Sequence, residues 1–158
     1  MIIQIVLLAI YTYLPSYVAN ASPVVLGGGS PLDGGRLWLD GKPLLGSHKT
    51  VKGTLLGFLA GLVVGLAQGN PVGGSLQALG AVVGDLVGSF YKRRLGMKPG
   101  DSLPFSDQLD FIVLAVALSY PVQQTPLDQV AAILIITMPI HYIVNIVAWA
   151  LQLKKNPW

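Results

Sequence analysis

The chain alternates long apolar runs with short polar interruptions. Five runs read as helices long enough to cross a bilayer: roughly Met1 to Val18, Gly53 to Gly69, Val72 to Tyr91, Ser106 to Val122 and Leu127 to Leu153. At 1.5 Å per residue, about 20 apolar residues cover a hydrocarbon layer about 30 Å thick. Inside that layer every backbone polar group must be bonded internally, and a helix achieves this alone. The pattern therefore predicts an all-α integral membrane protein with five transmembrane helices, folded as a single polytopic domain over residues 1–158. Ala19-Asn20-Ala21 follows the first run as a small-residue cleavage site would, but no basic segment precedes that run, so the span is expected to be retained.

The polar interruptions are of two kinds. All ten Lys and Arg residues lie in residues 20–52, in residues 92–105 or in the tail at Lys154 and Lys155, whereas the connections around Asn70-Pro71 and Gln123 to Pro126 carry none. Cations remain on the cytoplasmic side, so the N-terminus is placed outside and the two charged loops inside. In the outer turn, Thr125-Pro126-Leu127-Asp128 reads as an N-cap, a proline at the first helical position and a structural acid. Composition agrees: 53% of residues are hydrophobic and 11% charged, against about 25% charged in soluble domains. The net charge of +3, in so apolar a chain, sets topology and meets phosphates rather than nucleic acid.

Glycines recur every fourth residue at Gly53, Gly57, Gly61, Gly65 and Gly69, and again at Gly80, Gly84 and Gly88. Such stripes predict close helix packing. Gly27 to Gly35 reads as a flexible loop; it lacks the Gly-Lys-Ser/Thr ending of a phosphate loop. Pro139, His141, Tyr142 and Asn145 interrupt the last run and are expected to hydrogen-bond between helices around a proline kink.

Fourteen of the seventeen charged residues fall between Asp33 and Lys52 or between Asp85 and Asp110. A solvated loop accounts for the lysines but not for Asp85, which stands two helical turns before Lys92 in an apolar run, where an acid costs about 2.5–3.5 kcal/mol near a helix centre. Asp107 and Asp110 are three apart and share a helix face. Three aspartates from the ends of successive helices, joined by Lys92, Arg93, Arg94 and Lys98, offer hard oxygen ligands beside cations for phosphate oxygens. That is the equipment of phosphoryl or nucleotidyl transfer. The chain has no cysteine, and His48 and His141 lie far apart with no triad spacing, so nucleophilic catalysis by a side chain is not expected. The rival class is a small ion-coupled transporter or channel subunit relaying ions through an intramembrane Asp, but that class spreads polar residues along a path, and the outer half of this chain is nearly uncharged.

The series Gly84-Asp85, Ser89, Lys92-Arg93, Lys98 and Asp107-Gln108-Leu109-Asp110, with Lys49-Thr50 and Gly53 upstream, resembles the CTP-dependent phosphatidate cytidylyltransferases, and most closely their archaeal branch, the CDP-archaeol synthases. The resemblance covers most of Asp33 to Asp110. Gln108 stands where the bacterial members have Arg, and Lys52 where an acid is common. It implies a membrane enzyme facing the cytoplasm that takes CTP and 2,3-bis-O-geranylgeranyl-sn-glycerol 1-phosphate and uses Mg²⁺. It further implies Asp85, Asp107 and Asp110 as metal ligands and catalytic acids, Lys92, Arg93 and Lys98 as catalytic cations, and Lys49, Thr50, Lys52, Ser89 and Arg36 around the nucleotide.

Overall fold

The computed structural model describes residues 1–154 and residue 156. Among these residues six helices follow in order: α1 (Ile2–Thr12), α2 (Leu14–Leu26), α3 (Val51–Ala67), α4 (Pro71–Arg94), α5 (Ser106–Gln123) and α6 (Leu127–Ala150). Two isolated bridges, Pro31 with Thr50 and Leu37 with Pro43, are the β-structure found among the described residues. The fold is all-helical, as expected. Among the described residues one helix, Leu127–Ala150, is by itself long and apolar enough to cross a membrane; Ile2–Thr12 and Leu14–Leu26 are so together, bent by 56°.

The first predicted run is thus two helices, and its end lies at Leu26 rather than Val18. Pro15 explains the break. It has no N–H to give to the carbonyl of Tyr11, and the amide of Ser16 turns to Tyr13 (3.1 Å) instead of Thr12. Side-chain amides reach these two carbonyls: Gln68 Nε2 donates to that of Tyr11 (2.5 Å), which a backbone amide at the cap also bonds, and Gln77 Nε2 to that of Thr12 (2.8 Å). Gln77 Nε2 also reaches Gln123 Oε1 at 2.9 Å, and the Tyr13 hydroxyl donates to Thr125 Oγ1 at 3.2 Å. These bonds stitch one end of the bundle without using a charge.

Thr125 is therefore committed to Tyr13 and does not cap α6 as expected. That helix begins after Pro126 with no side-chain cap, and Asp128 accepts from the amide of Gln129. Farther along, Tyr17 and Thr137 share a hydrogen bond of 2.6 Å between α2 and α6. The interhelical bond of α6 thus comes from Thr137, while His141 and Asn145 bond each other within the helix.

The glycine stripes pack as predicted from Gly53 to Gly65 and from Gly80 to Gly88, but Gly69 lies in the turn after α3 at φ 71° with open space beside it. A Cβ on Gly57 would meet the carbonyl of Ala19, one on Gly61 would meet Ala78 and Pro15, and one on Gly65 would meet the Cα of Gly74. One face of α3 thereby seats against both α2 and α4. Gly80, Gly84 and Gly88 do the same for α5: added carbons would meet Ala115, the carbonyl of Asp110 and the carboxylate of Asp110. The core beside this seam holds Ala78, Ala81, Phe111, Ile112 and Ala115.

The two charged connections are shorter than expected. Residues 20–26 belong to α2, and Lys92, Arg93 and Arg94 form the last turn of α4, where cations complement the helix dipole. The helix ends in a Schellman motif: the amide of Met97 reaches the carbonyl of Lys92, and that of Gly96, at φ 78°, reaches Arg93.

Candidate active site

The segment from Gly27 to Thr50 is an ordered loop, not a flexible one. Asp33 organises it: one carboxylate oxygen accepts from the amide of Gly35 (2.9 Å), the other from Leu45 (2.8 Å) and Gly46 (3.1 Å). Burial pushes the Asp33 pKa up, but these amides outweigh it and hold the group below the usual carboxylate value. Arg94 ties the loop to α4 by pairing with Asp40 (3.0 Å), donating to the carbonyl of Pro43 and lying over Phe90, whose ring also meets Trp38. Neither Asp33 nor Arg94 was singled out for this work by sequence pattern; a lone Asp among glycines was the available signal, since Asx side chains close such turns.

The pinned loop delivers Lys49 to Asp85. Thr50 caps α3, accepting from the amide of Gly53 at 3.1 Å, which fixes the direction of the residue before it. The ammonium of Lys49 lies 2.6 Å from both carboxylate oxygens of Asp85. A second pair forms across the other loop. Lys92 Nζ stands 2.8 Å and 2.9 Å from the two oxygens of Asp107, and Asp107 also accepts from the amide of Leu103. Asp110 completes the group: it lies against Gly88 and within electrostatic reach of Asp85, Asp107 and Lys49.

Five of the residues expected from sequence, Lys49, Asp85, Lys92, Asp107 and Asp110, are therefore one cluster at the same end of α3, α4 and α5. The others stand around it differently. Thr50 is a helix cap. Arg93 is buried and donates to the carbonyl of Lys98 (3.0 Å), and Ser89 is buried in α4. The side chains of Arg36, Lys52 and Lys98 are exposed. Lys98 contributes its backbone, whose amide donates to Asp101 at 2.6 Å.

Beside the Lys49–Asp85 pair is a recess of about 70 Å³ between α2, α3, α4 and the first loop, with Asn20, His48, Thr50 and Thr54 in its wall. His48 is a wall residue that the sequence reading passed over; Gly100 of the second loop lies against its ring. The oxygen-only donor set of three aspartates suits a hard divalent cation. Among the described residues no three acidic or histidine side chains close around one point, and Lys49 and Lys92 hold two of the three carboxylates.

The chain as a whole has counterparts among known proteins. A family model described as CarS-like, CDP-archaeol synthase, matches residues 2–73 and 70–158. The chain is 41% identical to a CDP-archaeol synthase of Pyrococcus furiosus over 97% of its own length and 98% of the relative's. It is 43% identical to that of Thermococcus gammatolerans, covering 95% of each chain, and 43% identical to that of Methanopyrus kandleri, covering 92% and 89%. A solved structure described as an intramembrane enzyme for archaeal membrane lipids biosynthesis superimposes with a TM-score of 0.75 at 42% identity, over 89% of this chain and 94% of that one. Matched along nearly its whole length by the family model and by these relatives, the chain belongs to the CDP-archaeol synthase family.

Proposed function

We propose that this membrane protein is a nucleotidyltransferase that makes unsaturated CDP-archaeol from CTP and 2,3-bis-O-geranylgeranyl-sn-glycerol 1-phosphate. An oxygen of the lipid phosphate attacks the α-phosphorus of CTP, the bond from that phosphorus to the bridging oxygen breaks, and pyrophosphate leaves. The attacking group is already an anion, so no side-chain nucleophile is required. The observation that carries the reading is the pair of lysine–carboxylate contacts, Lys49–Asp85 and Lys92–Asp107, with Asp110 within electrostatic reach of both carboxylates.

Asp85, Asp107 and Asp110 are the residues that would hold Mg²⁺, and a bound divalent cation neutralises the charge gathering on the phosphates. The chain's own contribution is positional. The Asp33 turn and the Thr50 cap aim Lys49; the Schellman end of α4 and the amide of Leu103 aim Lys92 and Asp107. When phosphate oxygens arrive, the two ammonium groups are placed to exchange carboxylate partners for phosphate ones, both charge-assisted bonds. Buried Arg93 fixes the second loop beneath them.

In the bilayer the reading has five spans, with α1 and α2 forming one bent span, the N-terminus outside and both loops in the cytoplasm, as one polytopic domain. CTP then enters from the water and the lipid from the side. The test incubates purified protein with labelled CTP, Mg²⁺ and either the diether or a diester lipid phosphate, and follows CDP-lipid and pyrophosphate. CDP-lipid from the diether is expected; none from either lipid, with a folded protein, overturns the reading. Full activity in a folded Asp85→Asn variant overturns the site.

A further inference from the structure

One face of α4 is an unbroken apolar stripe. Leu79, Val83, Val87, Tyr91 and, at the helix cap, Leu95 recur every fourth residue, and all five are exposed. In a membrane protein such a face meets hydrocarbon, and a tyrosine near its end marks the level at which the helix leaves it.

The first loop returns to this edge. Residues 37–43 form a tight hairpin: the amide of Trp38 bonds the carbonyl of Lys42 (2.8 Å), that of Gly41, at φ 73°, bonds Trp38 (3.0 Å), and Leu37 bridges to Pro43. The hairpin is fastened to the last two turns of α4. The Trp38 ring meets Phe90 edge-on at 5.3 Å, and Lys42 donates to the carbonyl of Arg94 at 2.7 Å, beside the Arg94 contacts with Asp40 and Pro43. Phe90 lies three residues past Val87 and directly before Tyr91, so it borders the apolar stripe.

The tip of the hairpin is apolar. Leu37 is 63% exposed, Trp38 46% and Leu39 94%. A turn facing water is built from Asp, Asn, Ser, Gly or Pro; Asp40 and Gly41 already meet that need, Asp40 by accepting from the amide of Lys42 at 3.1 Å, and packing within the fold does not explain Leu39. Consecutive exposed apolar side chains mark a contact surface, and the stripe that leads to this one is a lipid face. Resting on the five-span arrangement proposed above, we infer that the Leu37–Trp38–Leu39 tip inserts into the headgroup region of the inner leaflet, continuing the lipid-facing stripe of α4 past the end of the helix. An indole, with an apolar body and one N–H, suits that boundary. The same loop is closed by Asp33 on Leu45 and Gly46 and ends in Lys49, the partner of Asp85. The anchor thereby sets the depth of one working ammonium relative to the phosphates of the lipids.

The chain has no cysteine, so one introduced thiol gives a unique label. Leu39→Cys, Ser47→Cys and Val87→Cys, each carrying an environment-sensitive fluorophore, are placed in lipid nanodiscs, where both faces meet solvent. Emission is quenched in turn by iodide in the water and by lipids bearing nitroxides. The Leu39 label should lose most of its emission to the nitroxide lipids and little to iodide, as should the Val87 label; the label at Ser47, exposed in the same loop, should do the reverse. Leu37→Asp in the Leu39-labelled protein should move the loss from nitroxide lipid to iodide. Iodide quenching at Leu39 equal to that at Ser47 overturns the inference. So does quenching by neither agent, which is the result if a second copy or another protein covers the tip, and so does an unchanged pattern in Leu37→Asp. Iodide quenching at Val87 overturns the span of α4 and the anchor with it. None of these readings needs turnover: a lipid-quenched tip on protein that makes no CDP-lipid leaves the anchor standing while the proposed reaction fails, and CDP-lipid made by protein whose tip lies in water does the opposite.

Discussion

Gly88→Ala tests whether the place of one carboxylate sets the rate. The added methyl would run into Asp110 Oδ2 and stand 3.0 Å from its Cγ and 3.3 Å from its Cβ. The helices cannot part to make room, because one turn away Gly84 abuts the carbonyl of Asp110 and the Cα of Phe111. The side chain must rotate, moving the carboxylate by about 1 Å or more to regain ordinary contact distance. Overpacking costs about 1–3 kcal/mol, and the better helix propensity of alanine returns about 0.5–1 kcal/mol. The net loss of stability is then between about 0 and 2.5 kcal/mol. A displacement of about 1 Å at a reacting centre costs roughly 10²-fold, equal to about 2.7 kcal/mol in the barrier. The rate should therefore suffer more than the fold. Thermal unfolding in detergent and steady-state CDP-lipid formation would be measured on Gly88→Ala, Asp110→Asn and Gly80→Ala. The last meets rigid backbone at Ala115 and Leu114, away from the carboxylates, so it should lose at least as much stability with a smaller loss of kcat per folded molecule. A folded Gly88→Ala enzyme with wild-type kcat and KM would refute the reasoning, as would equal rate losses at both glycines.

Other outcomes follow from particular contacts. Lys92→Ala removes the partner of Asp107 and a donor to the carbonyl of Asp101; KM for a phosphate-bearing substrate should rise about tenfold or more, and unchanged kinetics would remove Lys92 from the site. Asp33→Ala leaves the amides of Gly35, Leu45 and Gly46 without their acceptor and should cost about 1–3 kcal/mol, read as a lowered unfolding temperature. Because the folded Asp33 pKa is depressed, its stabilising contribution is complete above the unfolded value of about 3.9 and disappears as pH falls through the folded one. Asp33→Asn should therefore flatten the stability profile below about pH 4, and an identical profile would contradict the loop account. Gln77→Leu strands the carbonyl of Thr12 and should destabilise by about 1–3 kcal/mol without changing substrate KM values.

Much of this architecture was legible in the pattern of residues. The apolar runs located the helices because hydrocarbon tolerates little else, and the fourfold glycine spacing disclosed the seams because only a missing Cβ lets backbones approach so closely. Asp85 stood out because an acid in an apolar run needs a partner; it has Lys49. The bend at Tyr13 was less visible. Pro15 hinted at it, but the result depends on Gln68 and Gln77, more than fifty residues away, donating to the carbonyls of Tyr11 and Thr12. The loop ends moved for a similar reason: local charge suggested water, while hydrogen bonding carried α2 to Leu26 and α4 to Arg94.

The neutral stitching among Tyr11, Thr12, Tyr13, Gln68, Gln77, Gln123 and Thr125 has a practical corollary. Amide and hydroxyl bonds ignore ionic strength and most of the pH scale, whereas the opposite end is joined by exchangeable ions. A change of salt or a newly arrived phosphate can rearrange the working face while the far end holds its shape, much as a clothes-peg keeps its spring when the jaws open.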